Sequence, residues 1–156
     1  MNTVYLAPNA TLVGEIRLEE DVNIWYGAVL RGDSGLISVG RGTNIQDNCV
    51  LHEATSLGRD CTVGHGAILH GCTLGRRCTV GMGAVVLTGA VIGDDCLIAA
   101  GALVPGGIRA PAGSLLMGNP ARVVRPLTGQ EVAHSEDNAA RYVALARKSL
   151  PMAQWN

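Results

Sequence analysis

Aliphatic residues recur every six positions along the first two thirds of the chain. Of the sixteen gaps between seventeen such residues, fourteen are six residues long, one is nine and one is five. Six is a multiple of the two-residue period of a strand but not of the 3.6-residue period of a helix, so the pattern predicts short strands with one inward aliphatic side chain each. The seventeen positions are Leu6, Leu12, Leu18, Ile24, Leu30, Val39, Ile45, Leu51, Leu57, Val63, Leu69, Leu74, Val80, Val86, Ile92, Ile98 and Val104.

Glycine follows the aliphatic residue in six of these hexads, which predicts bends at a fixed interval. The six are Gly40, Gly58, Gly64, Gly75, Gly81 and Gly93. Short strands separated by regular bends predict an all-β solenoid, a parallel β-helix with three hexads in each triangular coil and coils about 4.8 Å apart. We expect this β-helix domain to span 1–105.

Past Val104 the chain is rich in proline and glycine, which predicts an irregular closing segment over 106–127. Thr128 and Glu131 form a capping-box pattern that opens a C-terminal helix over 128–150. We expect the helix to pack on the β-helix, so that the chain is one structural domain. The candidate packing residues of the helix are Val132, Tyr142, Val143, Leu145 and Ala146.

The two irregular gaps predict local departures from the prism. The nine-residue step from Leu30 to Val39 predicts a small loop pushed out at a corner. The five-residue step from Leu69 to Leu74 predicts a coil tightened beside His70.

The composition agrees with a narrow prism and excludes several functions. Hydrophobic residues make up 47% of the 156-residue chain, yet aromatic residues make up 3% and phenylalanine is absent; stacked aliphatic ladders fill a narrow bore without rings. Twelve basic residues against thirteen acidic ones argue against nucleic-acid binding. No apolar stretch is long enough for a membrane span, and the N-terminus lacks an export signal, so we expect a cytoplasmic protein without a membrane partner.

Five cysteines without a CxxC pair fit neither a disulfide framework nor a structural zinc finger. Cys49, Cys61, Cys78 and Cys96 each stand four positions after a ladder residue. We interpret these positions as slots for a small buried side chain, because free cysteine behaves as a small hydrophobe.

Three of the four histidines lie within nineteen residues of each other. His52 and His70 each follow a ladder residue and are eighteen residues apart, which predicts outward side chains on one face of adjacent coils. His65 belongs to the preceding face and does not easily reach the other two within one chain. Three prisms packed about a threefold axis would bring His65 of a neighbour to the pair. His134, in the helix, is interpreted as solvated surface.

Three imidazoles with a fourth position left open are the arrangement of a catalytic zinc site. The pattern therefore predicts a metal centre at a subunit interface. The alternative is that the outward histidines decorate the surface or form hydrogen bonds across a subunit contact.

Polar neighbours of the histidines fall in the same register. Asp47 stands eighteen residues before His65, one coil beneath it, and Arg31 and Gln46 hold outward positions next to ladder residues. Glu53 is the nearest candidate for moving protons from a metal-bound water, although strand alternation places its side chain toward the other side of the strand.

Several segments together resemble the gamma-class carbonic anhydrase family, in its shorter branch that lacks the acidic loop with a glutamate proton shuttle. The single hexad is shared with many acyltransferases, whereas the histidine-bearing segments with RGD and NIQDN are specific. The segments are Leu30-Arg31-Gly32-Asp33, Asn44-Ile45-Gln46-Asp47-Asn48, Val50-Leu51-His52, the run from Val63 to Cys72, Val80-Gly81-Met82-Gly83-Ala84 and Gly118-Asn119-Pro120-Ala121.

The resemblance implies a left-handed β-helix and a homotrimer with zinc, or iron or cobalt in its place, at each subunit interface. It implies that His52, His65 and His70 are the metal ligands. It also implies that Asn44 and Gln46 line the pocket and help to orient the metal-bound water and bicarbonate. By the same resemblance, Arg31, Asp33 and Asp47 would form the inter-subunit ionic network around the pocket.

The implied function is that of a zinc-dependent lyase. It is the reversible hydration of carbon dioxide to bicarbonate by metal-bound hydroxide. Two alternatives remain. One is a hexapeptide-repeat acyltransferase or acyl-CoA thioesterase, and the other is a metal-stabilised trimeric scaffold without fast catalysis.

Overall fold

A computed structural model describes all residues 1–156 of the chain as nineteen strands and one helix. In chain order they are β1 (Asn2–Leu6), β2 (Thr11–Leu18), β3 (Asn23–Ile24), β4 (Val29–Val39), β5 (Asn44–Ile45), β6 (Val50–His52), β7 (Ser56–Leu57), β8 (Thr62–Val63), β9 (Ile68–His70), β10 (Thr73–Leu74), β11 (Thr79–Val80), β12 (Val85–Val86), β13 (Val91–Ile92), β14 (Leu97–Ile98), β15 (Leu103–Val104), β16 (Arg109–Ala110), β17 (Ser114–Gly118), β18 (Ala121–Pro126), α1 (Gly129–Ser149) and β19 (Met152–Trp155).

The strands wind into a parallel β-helix of about six turns, which confirms the predicted solenoid. Its first face consists of β1, β3, β5, β8, β11, β14 and β17. The second face consists of the first parts of β2 and β4 with β6, β9, β12 and β15. The third face consists of the second parts of β2 and β4 with β7, β10, β13 and β16.

The inward aliphatic residues stack in register from coil to coil. In the second face Leu30 pairs with Leu51 and Leu51 with Leu69, and all three side chains are fully buried. Burial of such a side chain stabilises the fold by about 1.5–3 kcal/mol, so the ladders supply most of the core. The hexad pattern therefore located the core correctly.

The expected loop after Leu30 is instead part of strand β4. Residues 29–39 run as one strand beside β2, and the register shifts between Gly14 and Ile16, so that the extra residues form a bulge. Gly32 is required there because a Cβ on it would lie 2.2 Å from the Glu15 carbonyl oxygen. The prediction of a loop was wrong because a bulge absorbs the added length while strand hydrogen bonds continue on both sides.

The segment 106–127 is more regular than expected. The ladder continues through β16 and β17, where Ala110 and Leu116 are buried in register above the preceding coil. The next strand, β18, then pairs with β17 in antiparallel fashion and closes this end of the β-helix. The prediction of an irregular segment was wrong because proline and glycine occupy the corners here and leave the strands intact.

Helix α1 begins at the predicted cap. Thr128 accepts a hydrogen bond from the Glu131 backbone N–H, and the Glu131 carboxylate accepts one from the Thr128 backbone N–H. The helix lies on the first face, where Thr79 and Thr62 bond Ser135 and Asn138. No helix in the structure has the length and apolar character needed to cross a membrane.

The buried side of α1 is small rather than bulky. Its buried residues are Ser135, Ala139 and Ala146, while Leu145, an expected packing residue, is 44% exposed. The first half of the helix rests on the polar Thr62 and Thr79, whereas Ala146 and the expected packing residue Tyr142 near its end join a small apolar cluster with Trp25. After the helix, β19 pairs antiparallel with β1 and closes the N-terminal end of the β-helix.

All five cysteines are buried free thiols, as the hexad positions predicted for four of them. Four of them bond the next coil, since the thiols of Cys49, Cys61, Cys78 and Cys96 donate to carbonyl oxygens at 3.0–3.2 Å. Burial raises the pKa of the Cys72 thiol to about 12 and that of Cys49 to about 11. Cys49 and Cys72 are therefore neutral at neutral pH, and burial shields all five thiols from solvent.

We predict that no cysteine of the native protein reacts with a thiol reagent at neutral pH within the time in which the unfolded chain is fully labelled. Burial and the raised pKa values of Cys49 and Cys72 both suppress the thiolate. Reaction with Ellman's reagent, with and without denaturant, measures this. Rapid labelling of the native protein would show that a thiol is accessible and would reopen a redox role.

We predict that the helix cap loses its contribution to stability in acid. The Arg125 guanidinium and the Thr128 backbone hold the pKa of the Glu131 carboxyl at about 2, below its ordinary value of 4.5. Its stabilisation is therefore complete above the ordinary value and is lost as the pH falls toward about 2. Between these pH values, the free energy of unfolding in denaturant should change less steeply with pH for Glu131→Gln than for the wild type. Glu15→Gln is the control, and equal slopes for all three proteins would contradict the prediction.

Candidate metal centre

His52 and His70 lie side by side on the second face, at the ends of β6 and β9. The two residues are paired in register, and their rings meet edge to face with centroids 5.2 Å apart. The Nδ1 atom of His52 and the Nε2 atom of His70 are 3.3 Å apart. The eighteen-residue spacing thus brings both imidazoles to one point, as the sequence predicted.

This pair has the spacing of two ligands on one ion. Nitrogen ligands at about 2.1 Å from a tetrahedral metal lie about 3.4 Å from each other. The outer nitrogens have oxygen partners, since His52 Nε2 lies 3.2 Å from Asp33 Oδ1 and His70 Nδ1 lies 2.9 Å from Thr88 Oγ1. Such partners orient metal-ligating histidines and set their tautomers. The residues present therefore fit a metal ion held between the two rings.

His65 does not join this pair within one chain. It is exposed beyond the end of β8, on the first face, and its Nδ1 lies 2.8 Å from Asp47 Oδ2. The cluster whose possible ligand atoms lie within 4.8 Å of one another contains His52, Glu53 and His70 only. The remaining nitrogen, Nε2, has no hydrogen-bond partner within the chain.

Glu53 points toward the histidines and not away from them. A carboxylate oxygen of Glu53 belongs to the same cluster within 4.8 Å. The expectation from strand alternation was wrong because Glu53 has φ +60°, outside the strand region. Side chains alternate between the two faces only in extended backbone, and the backbone at Glu53 is left-handed. An acid is therefore available beside the ring pair.

The expected ionic residues make their contacts within the chain. Arg31 lies in register beneath His52, and its Nε is 3.7 Å from Asp33 Oδ1. Loss of hydration raises the pKa of Asp33, but Arg31 and the hydrogen bond with His52 outweigh this and leave the pKa below its ordinary value. Asp33 is thus an ionised partner of His52, as Asp47 is the oxygen partner of His65.

Asn44 and Gln46 occupy different environments. Gln46 lines a shallow groove beside His65, together with Arg141 and Tyr142 of α1. Asn44 is fully buried and holds Gln46, since its Oδ1 accepts from Gln46 Nε2 at 3.1 Å. Asn44 thus supports Gln46 from beneath, and its expected place in the pocket stays a prediction. His134 is exposed, as expected, and lines the largest cavity, about 560 Å³ at the start of α1, whose lining residues are polar apart from Leu97.

Two threonines that the sequence pattern did not indicate lie near the histidines. Thr88 bonds the His70 ring, and the buried Thr55 hydroxyl bridges the His52 carbonyl oxygen and the Gly71 N–H. Thr88 stands eighteen residues after His70, but the strand register just before this corner is seventeen, since Leu69 pairs with Val86, so that register alone would have placed Leu87 on His70. Thr55 carried no spacing signal, because its bonds depend on how the corner folds.

The comparisons with known proteins agree with the repeat. Residues 71–106 match the family described as Bacterial transferase hexapeptide (six repeats). The structure is similar to that of a hexapeptide transferase family protein from Anaplasma phagocytophilum, with a TM-score of 0.92 and 42% identity over 94% of this chain and 89% of that one. The fold and the repeat thus define a hexapeptide-repeat protein with a left-handed parallel β-helix.

Two related proteins indicate which family of hexapeptide-repeat proteins this chain belongs to. Gamma carbonic anhydrase 2, mitochondrial, of Arabidopsis thaliana is 43% identical over 92% of this chain and 55% of that protein. Carnitine operon protein CaiE of Escherichia coli K12 is 42% identical over 90% of this chain and 74% of that protein. The chain belongs to the gamma-class carbonic anhydrase family, and it spans about half the length of the plant anhydrases that it matches.

We predict that Gly71→Ala destabilises the protein more than Gly101→Ala. Both glycines have a left-handed φ, at +64° and +70°, which costs an alanine about 1–2 kcal/mol. A Cβ at Gly71 would also lie 3.1 Å from Thr88, whereas one at Gly101 meets nothing within 4 Å. The free energy of unfolding in denaturant measures the difference. Equal losses would show that Thr88 does not pack against this corner.

Proposed function

We propose that the protein is a metal-dependent carbonic anhydrase that interconverts carbon dioxide and bicarbonate at the subunit interfaces of a homotrimer. The observation that carries this proposal is the 3.3 Å approach of His52 Nδ1 to His70 Nε2. Each of these rings has an oxygen partner on its other nitrogen. Membership of the gamma-class family supports the same reaction.

The ligands would be His52 and His70 of one subunit with His65 of the next. Zinc suits three imidazoles, with iron or cobalt as substitutes. When bound, such an ion makes water acidic enough to yield a nucleophile near neutral pH.

The chain's own residues would prepare and serve that centre. Asp33 holds the His52 ring by its outer nitrogen, and Asp47 does the same for His65. Gln46, held by Asn44, presents its amide beside His65 and would orient the small polar substrate. The Glu53 carboxylate, next to the ring pair, would pass a proton to solvent.

An apolar row on the second face supports the trimer. Outward residues of successive coils stack beside the histidines, and Ile68 among them is 39% exposed. The row is Val29, Val50, Ile68, Val85 and Leu103. Packing of this row against a neighbour would remove apolar surface from water and bring the neighbour's His65 toward the pair. A cytoplasmic location is part of the proposal and agrees with five unpaired thiols.

Acyl transfer is the second candidate. It is favoured by the similarity to a solved protein named for the hexapeptide transferase family. The two reactions differ in what they require, because acyl transfer needs one basic histidine and no metal. Metal content therefore separates them.

We predict that the purified trimer binds about one zinc per chain and hydrates carbon dioxide, and that His70→Ala loses both properties, because one of three imidazoles is removed. Metal analysis, stopped-flow hydration and light scattering measure these properties. His134→Ala, which changes an exposed histidine away from the ring pair, is the control. A zinc-loaded trimer without hydration would overturn the enzymatic proposal, and a metal-free monomer would overturn the interface site.

A second experiment tests whether the site is shared between chains. His65→Ala and His70→Ala are each expected to be inactive alone. When the two are unfolded together and refolded as mixed trimers, one interface in each mixed trimer regains a complete ligand set. Random mixing should then restore about a quarter of wild-type activity. No recovery in trimers shown to be mixed would contradict a shared site.

A further inference from the structure

The three histidines of the candidate centre have ring partners of two chemical kinds. Asp33 and Asp47 are carboxylates beside His52 and His65, at 3.2 and 2.8 Å. An ionised carboxylate only accepts hydrogen bonds, so the ring nitrogen that faces it carries the proton. The partner of His70 is the Thr88 hydroxyl, at 2.9 Å, which can either donate or accept.

Thr88 reaches His70 because the coil that begins there is one residue short. In the strands Leu69 pairs with Val86, seventeen residues later. At the following corner the offset is eighteen, since the Gly89 N–H donates to the Gly71 carbonyl oxygen at 2.8 Å. The corner containing Thr88 therefore lies directly on the corner containing His70. The five-residue gap between Leu69 and Leu74 thus places the Thr88 hydroxyl beside the His70 ring.

The two nitrogens that face each other, His52 Nδ1 and His70 Nε2, show why His70 needs a partner that can both donate and accept a hydrogen bond. Because Asp33 takes the Nε2–H of His52, the Nδ1 atom of His52 presents a lone pair toward His70 Nε2, 3.3 Å away. Without a cation, His70 must place its proton on Nε2 and donate it to His52. With a cation between the rings, Nε2 must present a lone pair and the proton must move to Nδ1.

We propose that Thr88 is the positioning residue that allows this exchange. Its hydroxyl donates to His70 Nδ1 when the site holds no cation and accepts from Nδ1–H when the site is filled. Both states keep every ring nitrogen of the pair hydrogen-bonded or coordinated. The inference rests on the proposed metal centre and adds to it a residue that sets the tautomer of one ligand.

The test compares three variants of the full chain with the wild type. Thr88→Val keeps the shape and removes the hydroxyl, whereas Thr88→Ser keeps the hydroxyl. Thr73→Val is the control, since Thr73 is an exposed threonine on the third face. Zinc affinity is measured by competition with a chromophoric chelator, and the proton position on His70 is measured by nitrogen NMR of the zinc-free and zinc-bound protein.

We expect Thr88→Val to bind zinc about tenfold more weakly than the wild type and Thr88→Ser to stay within about twofold, as for other partners of metal-ligating histidines. Thr73→Val should match the wild type. In the zinc-free wild type the His70 proton should reside on Nε2, and in the zinc-bound protein on Nδ1.

Three results would overturn this role for Thr88. They are equal zinc affinity of Thr88→Val and the wild type, an equal loss in the valine and serine variants, and a His70 proton that stays on one nitrogen in both states. A wild-type protein that binds no zinc would instead remove the metal centre itself, so the two failures are distinguishable.

Discussion

Hydrogen bonding between successive coils is the constraint on which the rest of this structure depends. Each short strand donates to the coil that follows it, as Val50 N–H does to the Ala67 carbonyl oxygen and Ile68 N–H to that of Ala84. Parallel pairing without slippage places equivalent residues of neighbouring coils in contact. This stacking, with a step of seventeen or eighteen residues in most coils and of twenty-one where the β4 bulge is inserted, determines the core, the positions of the buried thiols and the rows of surface residues.

The candidate metal centre is a direct result of this stacking. Residues that are one coil apart in the sequence lie next to each other in the structure, so His52 contacts His70 and Asp47 contacts His65. The faces of the prism also separate residues, because His65 belongs to another face than the pair. A single chain therefore holds two ligands together and presents the third elsewhere, which is why the proposed site needs a neighbour.

The departures from the period lie beside the histidines. The bulge in β4 brings Asp33 to the His52 ring, and the shortened coil brings Thr88 to the His70 ring. A perfectly regular prism would keep the strand register but would not place these oxygens on the outer nitrogens. The irregular coils thus supply the interactions that orient the two rings.

The sequence by itself determined the parts of the protein that depend on period and local pattern. The hexads identified the inward ladders, four cysteine slots, the stacked histidines and the helix cap, because each depends on spacing along the chain. Local backbone angles decided what the period could not, such as the turn at φ +60° that aims Glu53 at the histidines.

Contacts between distant parts of the chain were decided only by the tertiary structure. The pairing of β1 with β19 joins the two ends of the chain, and α1 covers Asn44 and leaves Leu145 exposed. The regular course of 106–127 was hidden because the small Ala110 replaces the usual aliphatic residue in the ladder. These features depend on which surfaces meet after folding, and a short repeat carries no information about that.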